Sequence, residues 1–219
     1  MAKHLYTFDN PPNRKHVDEA VRILEKGGLL IYPTDVNWAI GCDATNSAAV
    51  DLVYRLKPSH PREKPLSLLM HSISQIAEYA EVNGGSYRIL RKLLPGSYTF
   101  ILARAKNLPK RLGDKRKAVG VRMPSSPLLV AILETFNKPM ASGSLPIPSG
   151  KSELCTQGYE IYESFGHAID LLLDLGEAVF PRETTIVDLT SDLPLIIREG
   201  EGDIQWLEEI GAERAHEKK

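Results

Sequence analysis

Residues 16–35 read HVDEAVRILEKGGLLIYPTD, and this stretch decides the fold. Val17, Ala20, Val21 and Leu24 recur at helical spacing, so residues 16–26 are expected as a helix with one buried face. Gly27-Gly28 ends that helix, since glycine readily takes the left-handed conformation found just past a helix C-terminus. Leu29-Leu30-Ile31-Tyr32 is a short apolar run suited to a buried strand, and Pro33-Thr34-Asp35 ends it in a polar turn. Helix, glycine stop, buried strand and polar turn together are an α/β signature.

The alternation continues along the chain. Residues 47–56 form the next expected helix, capped by Asn46 or Ser47 and interrupted by Pro58 and Pro61. A strand over 66–70, a helix over 73–80 and a basic helix over 86–94 follow, the last closed by Pro95-Gly96. Residues 98–102 and 118–122 read as strands and 127–136 as a helix with proline in its first turn. Residues 140–150, rich in Ser, Gly and Pro, read as a loop. Strands over 169–173, 185–189 and 195–198 and a short helix over 204–210 complete the series. With no internal repeat and no linker-like segment, the expectation is one α/β domain over residues 1–211, a sheet with helices packed on it, followed by a frayed tail over 212–219.

Composition narrows the function classes. Of 219 residues, 42% are hydrophobic and 25% charged, as expected of a globular chain rather than a disordered one. No apolar run approaches the roughly 20 residues of a membrane span, and the first residues lack a secretory apolar core, so a soluble, cytoplasmic protein is expected. Cys42 and Cys155 are read as reduced thiols, and the six scattered histidines give no metal-ligand spacing. The net charge of −1 conceals an asymmetry: residues 88–122 carry eleven Lys/Arg against Asp114 alone, and residues 153–219 carry sixteen Asp/Glu against five Lys/Arg. A dense basic stretch is either a solvated face or a surface for a phosphate-bearing partner.

Chemistry is expected where strands run into polar loops. Tyr32-Pro33-Thr34-Asp35, followed by Gly41-Cys42-Asp43, is either a self-capping turn or part of a ligand site. Lys57, His60, Arg62 and Lys64 crowd one proline-rich loop, which is either solvated or a phosphate clamp. Arg122, at a strand end before Met123-Pro124, suits a surface ion pair or a bound carboxylate or phosphate. Ser142-Gly143-Ser144 could turn backbone N–H groups to an anion, although neither a P-loop nor a nucleophile elbow is present.

Taken in order, these segments resemble the YrdC-like family of threonylcarbamoyl-AMP synthases, and within it the YciO branch. The pieces that carry the resemblance are Tyr32-Pro33-Thr34-Asp35, Lys64-Pro65-Leu66, Pro95-Gly96-Ser97-Tyr98-Thr99, Val119-Gly120-Val121-Arg122-Met123-Pro124, Thr184-Thr185-Ile186-Val187-Asp188 and Ile197-Arg198-Glu199-Gly200. The resemblance implies a twisted α/β sheet around a deep cavity. It also implies a reaction joining L-threonine, bicarbonate and ATP, with Mg²⁺ on the nucleotide, into an acyl-adenylate used in tRNA modification. On that basis Thr34, Arg122, Ser142 and Thr184 are expected to contact the amino acid, and Lys64, Ser144 and Arg198 the nucleotide. Lys57, His60 and Ser144 are the expected catalytic set. The family's Lys-x-Arg falls on Pro58-Ser59-His60 and its Ser-x-Asn on Ser144-Leu145-Pro146, so the catalytic set departs from the pattern. Two readings follow: an altered, weak synthase, or a non-catalytic binder of nucleotide or double-stranded RNA with Lys110, Arg111, Lys115 and Arg116 on the nucleic acid.

Overall fold

The computed structural model describes residues 1–57, 66–109, 112, 117–148, 150, 151 and 153–215. Its strands are β1 (Lys3–Tyr6), β2 (Leu30–Pro33), β3 (Trp38–Asp43), β4 (Ser67–Leu69), β5 (Tyr98–Ala103), β6 (Ala118–Arg122), β7 (Met140–Ser144), β8 (Leu171–Asp174), β9 (Thr185–Asp188), β10 (Leu195–Arg198) and β11 (Glu213–Arg214). Its helices are α1 (Arg14–Glu25), α2 (Ser47–Leu56), α3 (Ile73–Tyr79), α4 (Gly84–Leu93), α5 (Pro127–Phe136), α6 (Gly158–Phe165) and α7 (Gln205–Glu209). The strands form one mixed sheet in the order β1-β8-β2-β3-β7-β4-β6-β5-β9-β10-β11.

Local chemistry sets the helix ends. The Asn13 side chain accepts the Lys15 N–H at the start of α1, and Gly27 beyond its end sits at φ +77°. The Asn46 side chain accepts from Ala48 and Ala49 to start α2, and Ser126 from Leu129 to start α5. Each face of the sheet carries its own core. Val17, Leu24, Leu128 and Leu133 of α1 and α5 pack on Leu30, Tyr32, Leu69, Met140 and Leu171. On the other face Val53, Ile76, Leu90, Ile161 and Leu207 of α2, α3, α4, α6 and α7 pack on Ile31, Ile40, Leu68, Phe100 and Val121.

Three expectations are corrected. The loop expected over 140–150 is, over Met140–Ser144, a central strand between β3 and β4. Its small residues reflect lack of room on the sheet, not chain reversal: an added Cβ at Gly143 would lie 2.9 Å from Leu66. Trp38–Asp43, which the series of expected strands leaves out, is a strand buried along its whole length, so it shows no inside–outside alternation. Within the tail expected to fray over 212–219, Glu213 and Arg214 form β11 and pair in parallel with Leu195 and Ile196, while 216–219 lie outside the described residues. Arg214 fastens that strand through Glu208 and Glu199.

Candidate functional site

Register places small residues side by side. Gly41 of β3 and Ser67 of β4 both face Ser142 of β7, and Gly120 of β6 would bring a Cβ within 3.3 Å of the Ser67 hydroxyl. Gly41, Ser142, Ser67 and Gly120 therefore make one row across four strands, on the face that carries α1 and α5. A row without bulky side chains leaves a concave floor in the sheet.

The groups around this floor are polar and tied together. The Tyr32 hydroxyl donates to Ser142 at 2.7 Å, and burial pushes the Tyr32 phenol well above its usual range. In the β2–β3 turn the Thr34 hydroxyl donates to the Asn37 carbonyl at 2.7 Å and accepts the N–H groups of Val36 and Asn37. This self-capping turn fixes Asp35, whose carboxylate accepts from Ser97 at 2.7 Å and from Arg122 Nη2 at 2.8 Å. Arg122 is only 9% exposed, and its Nε is buried with no partner among the described residues. Burial lowers the Arg122 guanidinium from its ordinary value; Asp35 opposes that shift and nearby Arg198 adds to it. On the next strands Thr99 and Thr184 share a hydroxyl–hydroxyl bond of 2.9 Å. Arg198 holds the Thr184 carbonyl with Nε and Nη2, reaches its hydroxyl at 3.1 Å and pairs with Glu183.

A second corner lies at the end of β7. Alternation turns the Ser142 and Ser144 side chains to the concave face and Gly143 to the other. The Asn37 amide donates to the Ser144 hydroxyl at 3.1 Å, and the Asn37 Oδ1 is buried without a partner among the described residues. Lys57, just past α2, lies over Gly143 and donates to the Ser144 carbonyl. It is buried, and burial alone brings its ammonium down to about 8. Two cavities flank this region: about 160 Å³ beside Thr34, Asp35, Asp9 and Ser126, and a water-sized 20 Å³ space between Asn37, Ser144 and Cys155.

The sequence-derived residues thus divide. Arg122, Ser142, Thr184 and Arg198 gather around the concave floor, Thr34 braces the turn above it, and Lys57 and Ser144 form the separate corner. His60, Lys64, Lys110, Arg111, Lys115 and Arg116 lie outside the described residues. Sequence reasoning missed Asp35, Ser97, Tyr32 and Thr99 as members of the network. Each sits inside a quoted segment, but its partner is distant in sequence, as with Asp35 and Arg122, 87 positions apart.

This constellation can now be compared with known proteins. The Sua5/YciO/YrdC family model, described as "Telomere recombination", matches residues 22–200. The chain belongs to this family. Among its relatives, YciO of Escherichia coli K12 is 34% identical over 206 residues, which is 94% of this chain and 98% of YciO. The crystal structure of E. coli YciO shares the YrdC-like fold at a TM-score of 0.84 and 33% identity, covering 94% and 98% of the two chains. Threonylcarbamoyl-AMP synthase of Pyrococcus abyssi is 28% identical over 90% of this chain and 58% of the synthase. The crystal structure of P. abyssi Sua5 complexed with L-threonine shares the fold at a TM-score of 0.85 and 24% identity, covering 99% of this chain and 62% of that one. Among the described residues no helix is long and apolar enough to cross a membrane.

Proposed function

We propose that the concave face binds L-threonine beside ATP, and that the chain is an altered threonylcarbamoyl-AMP synthase with its amino-acid side intact and its reacting side changed. The observation that carries this reading is Arg122, buried, braced by Asp35 and left with a partnerless Nε. A buried guanidinium with an unpaired N–H among hydroxyl groups is suited to a ligand carboxylate, which accepts two parallel bonds from the fork. Tyr32, Ser142, Thr99 and Thr184 offer hydroxyls for the amino acid's own hydroxyl and amine. Asp35 holds the fork in place before ligand arrives, so little reorganisation is needed on binding.

At the end of β7, Lys57 donates to the Ser144 carbonyl, and Leu145-Pro146 follows the serine with no side-chain amide. In the proposed reaction the threonine amine and bicarbonate form a carbamate with loss of water, and a carbamate oxygen then attacks the ATP α-phosphorus and expels pyrophosphate. Mg²⁺ would be held by the triphosphate, since among the described residues no three His, Cys, Asp or Glu side chains converge on a common point. Lys57 lies over Gly143 on the sheet face opposite Arg122, so it does not serve as a positioned cation for negative charge developing beside the threonine. Loss of one such positioned group typically lowers turnover on the order of a hundredfold or more.

Pyrophosphate release by purified protein tests this directly. The expected result is slow release that requires both L-threonine and bicarbonate, with ATP bound in their absence. Binding of ATP with no acyl-adenylate formed from any amino acid would leave the second reading, a nucleotide or double-stranded RNA binder. That reading is favoured by the basic run over 88–122, and it predicts RNA affinity that falls steeply with salt.

A further inference from the structure

On the sheet face opposite Arg122, a groove of about 500 Å³ runs between the first turns of α4 and the 189–194 connection from β9 to β10. Ile89, Leu189 and Trp206 line it with apolar surface. Its rim keeps large apolar side chains in water: Leu193 is 55% exposed and Ile210 41%, and Tyr87 on the outer side of α4 is 45% exposed. An exposed apolar strip around a concave floor marks an interaction surface.

The walls carry opposite charge. Helix α4 presents exposed Arg88, Arg91 and Lys92 and contains no acid, whereas the facing wall presents exposed Asp192, with Glu209 beside Ile210. Arg88 and Asp192 both line the groove, and among the described residues no ion pair joins them. A uniformly acidic peptide or an RNA would gain from one wall and be repelled by the other, and phosphates would offer nothing to Leu193 and Ile210. A second copy of the same chain satisfies both walls. Rotation by a two-fold axis through the groove lays each basic wall on the other copy's acidic wall and stacks the apolar rims together, as an isologous interface requires.

We propose that this groove is the interface of a two-fold symmetric homodimer, in which Arg88 of each copy pairs with Asp192 of the other over packed Leu193 and Ile210. The pairing occurs twice, so reversing one charge places like charges together at both positions.

Light scattering of the full chain during gel filtration tests the proposal. Wild type is expected at twice the monomer mass of 24.3 kDa. Arg88→Asp alone and Asp192→Arg alone should each weaken dimerisation by about a hundredfold or more, because like charges facing across an interface are strongly disfavoured. An equimolar mixture of the two variants should dimerise again, since each mismatched position of one variant meets its complement in the other. Both side chains are exposed, and a cooperative melt with a wild-type circular dichroism spectrum checks that the variants fold. The proposal is overturned if wild type stays monomeric at about 100 µM, a concentration well above the Kd of a specific dimer. It is equally overturned if the wild-type dimer ignores both reversals, or if the mixture fails to re-form a dimer.

Discussion

The Arg122 hollow and the Lys57 corner hold the two buried cations among the described residues, and they are built in opposite ways. Arg122 is locked by Asp35, which is itself held by Ser97 and by a turn that Thr34 closes. Lys57 has, among the described residues, a backbone carbonyl and no carboxylate. The first cation is prepared by the fold. The second is left under a desolvation penalty that a bound anion would relieve. A cation of the second kind costs stability.

The contrast can be broken at either end. Removing Arg122 has the largest expected effect. Arg122→Met leaves Asp35, 9% exposed at its side chain, without its countercharge, and should lower stability by about 3–5 kcal/mol in urea denaturation. A loss below about 1 kcal/mol, the value of an exposed pair, would mean that the fold does not brace this arginine. Lys57→Met should act in the other direction, raising stability at pH 7 by about 2 kcal/mol, because it removes a buried charge. The sign is set by the lowered value of about 8 against the ordinary 10.5. Below about pH 8 the folded state carries the full cost of the charged amine. Between about 8 and 10.5 the folded state holds fewer protons than the unfolded one, so wild-type stability rises with pH and the advantage of methionine fades. Denaturation at pH 7 and pH 10 measures both. Equal stability of the two proteins at both pH values would mean that Lys57 pays no burial cost.

Much of this architecture is legible in the sequence because periodicity reports burial. Helix α1, with its Gly27 stop, and helices α2 and α5 stand where Val17–Leu24 spacing, asparagine or serine caps and Pro127 place them. Strands β2, β5, β6 and β10 coincide with β-branched or apolar runs. Strands β3 and β7 were illegible for one physical reason. Trp38–Asp43 and Met140–Ser142 are covered by structure on both sides, and Gly41 and Gly143 are small because partners approach closely. Composition then imitates a loop. The site is legible only as a set of polar segments. That Arg122 meets Asp35, or that Lys57 and Arg122 lie on opposite faces of the sheet, depends on strand order and register, which no local pattern carries.

The smallest expected change in stability gives the most direct test. Gly120 sits in the floor, where a Cβ would lie 3.3 Å from the Ser67 hydroxyl and 3.6 Å from Thr99, close but tolerable with small shifts. Gly120→Ala should therefore fold within about 1 kcal/mol of wild type while placing a methyl in the hollow beside Arg122. Calorimetric titration of L-threonine, with ATP present, compares the two proteins. The account predicts binding to wild type and an affinity at least about tenfold weaker in Gly120→Ala, a difference of about 1.4 kcal/mol. Equal affinities, or no threonine binding by the wild-type protein, would contradict it.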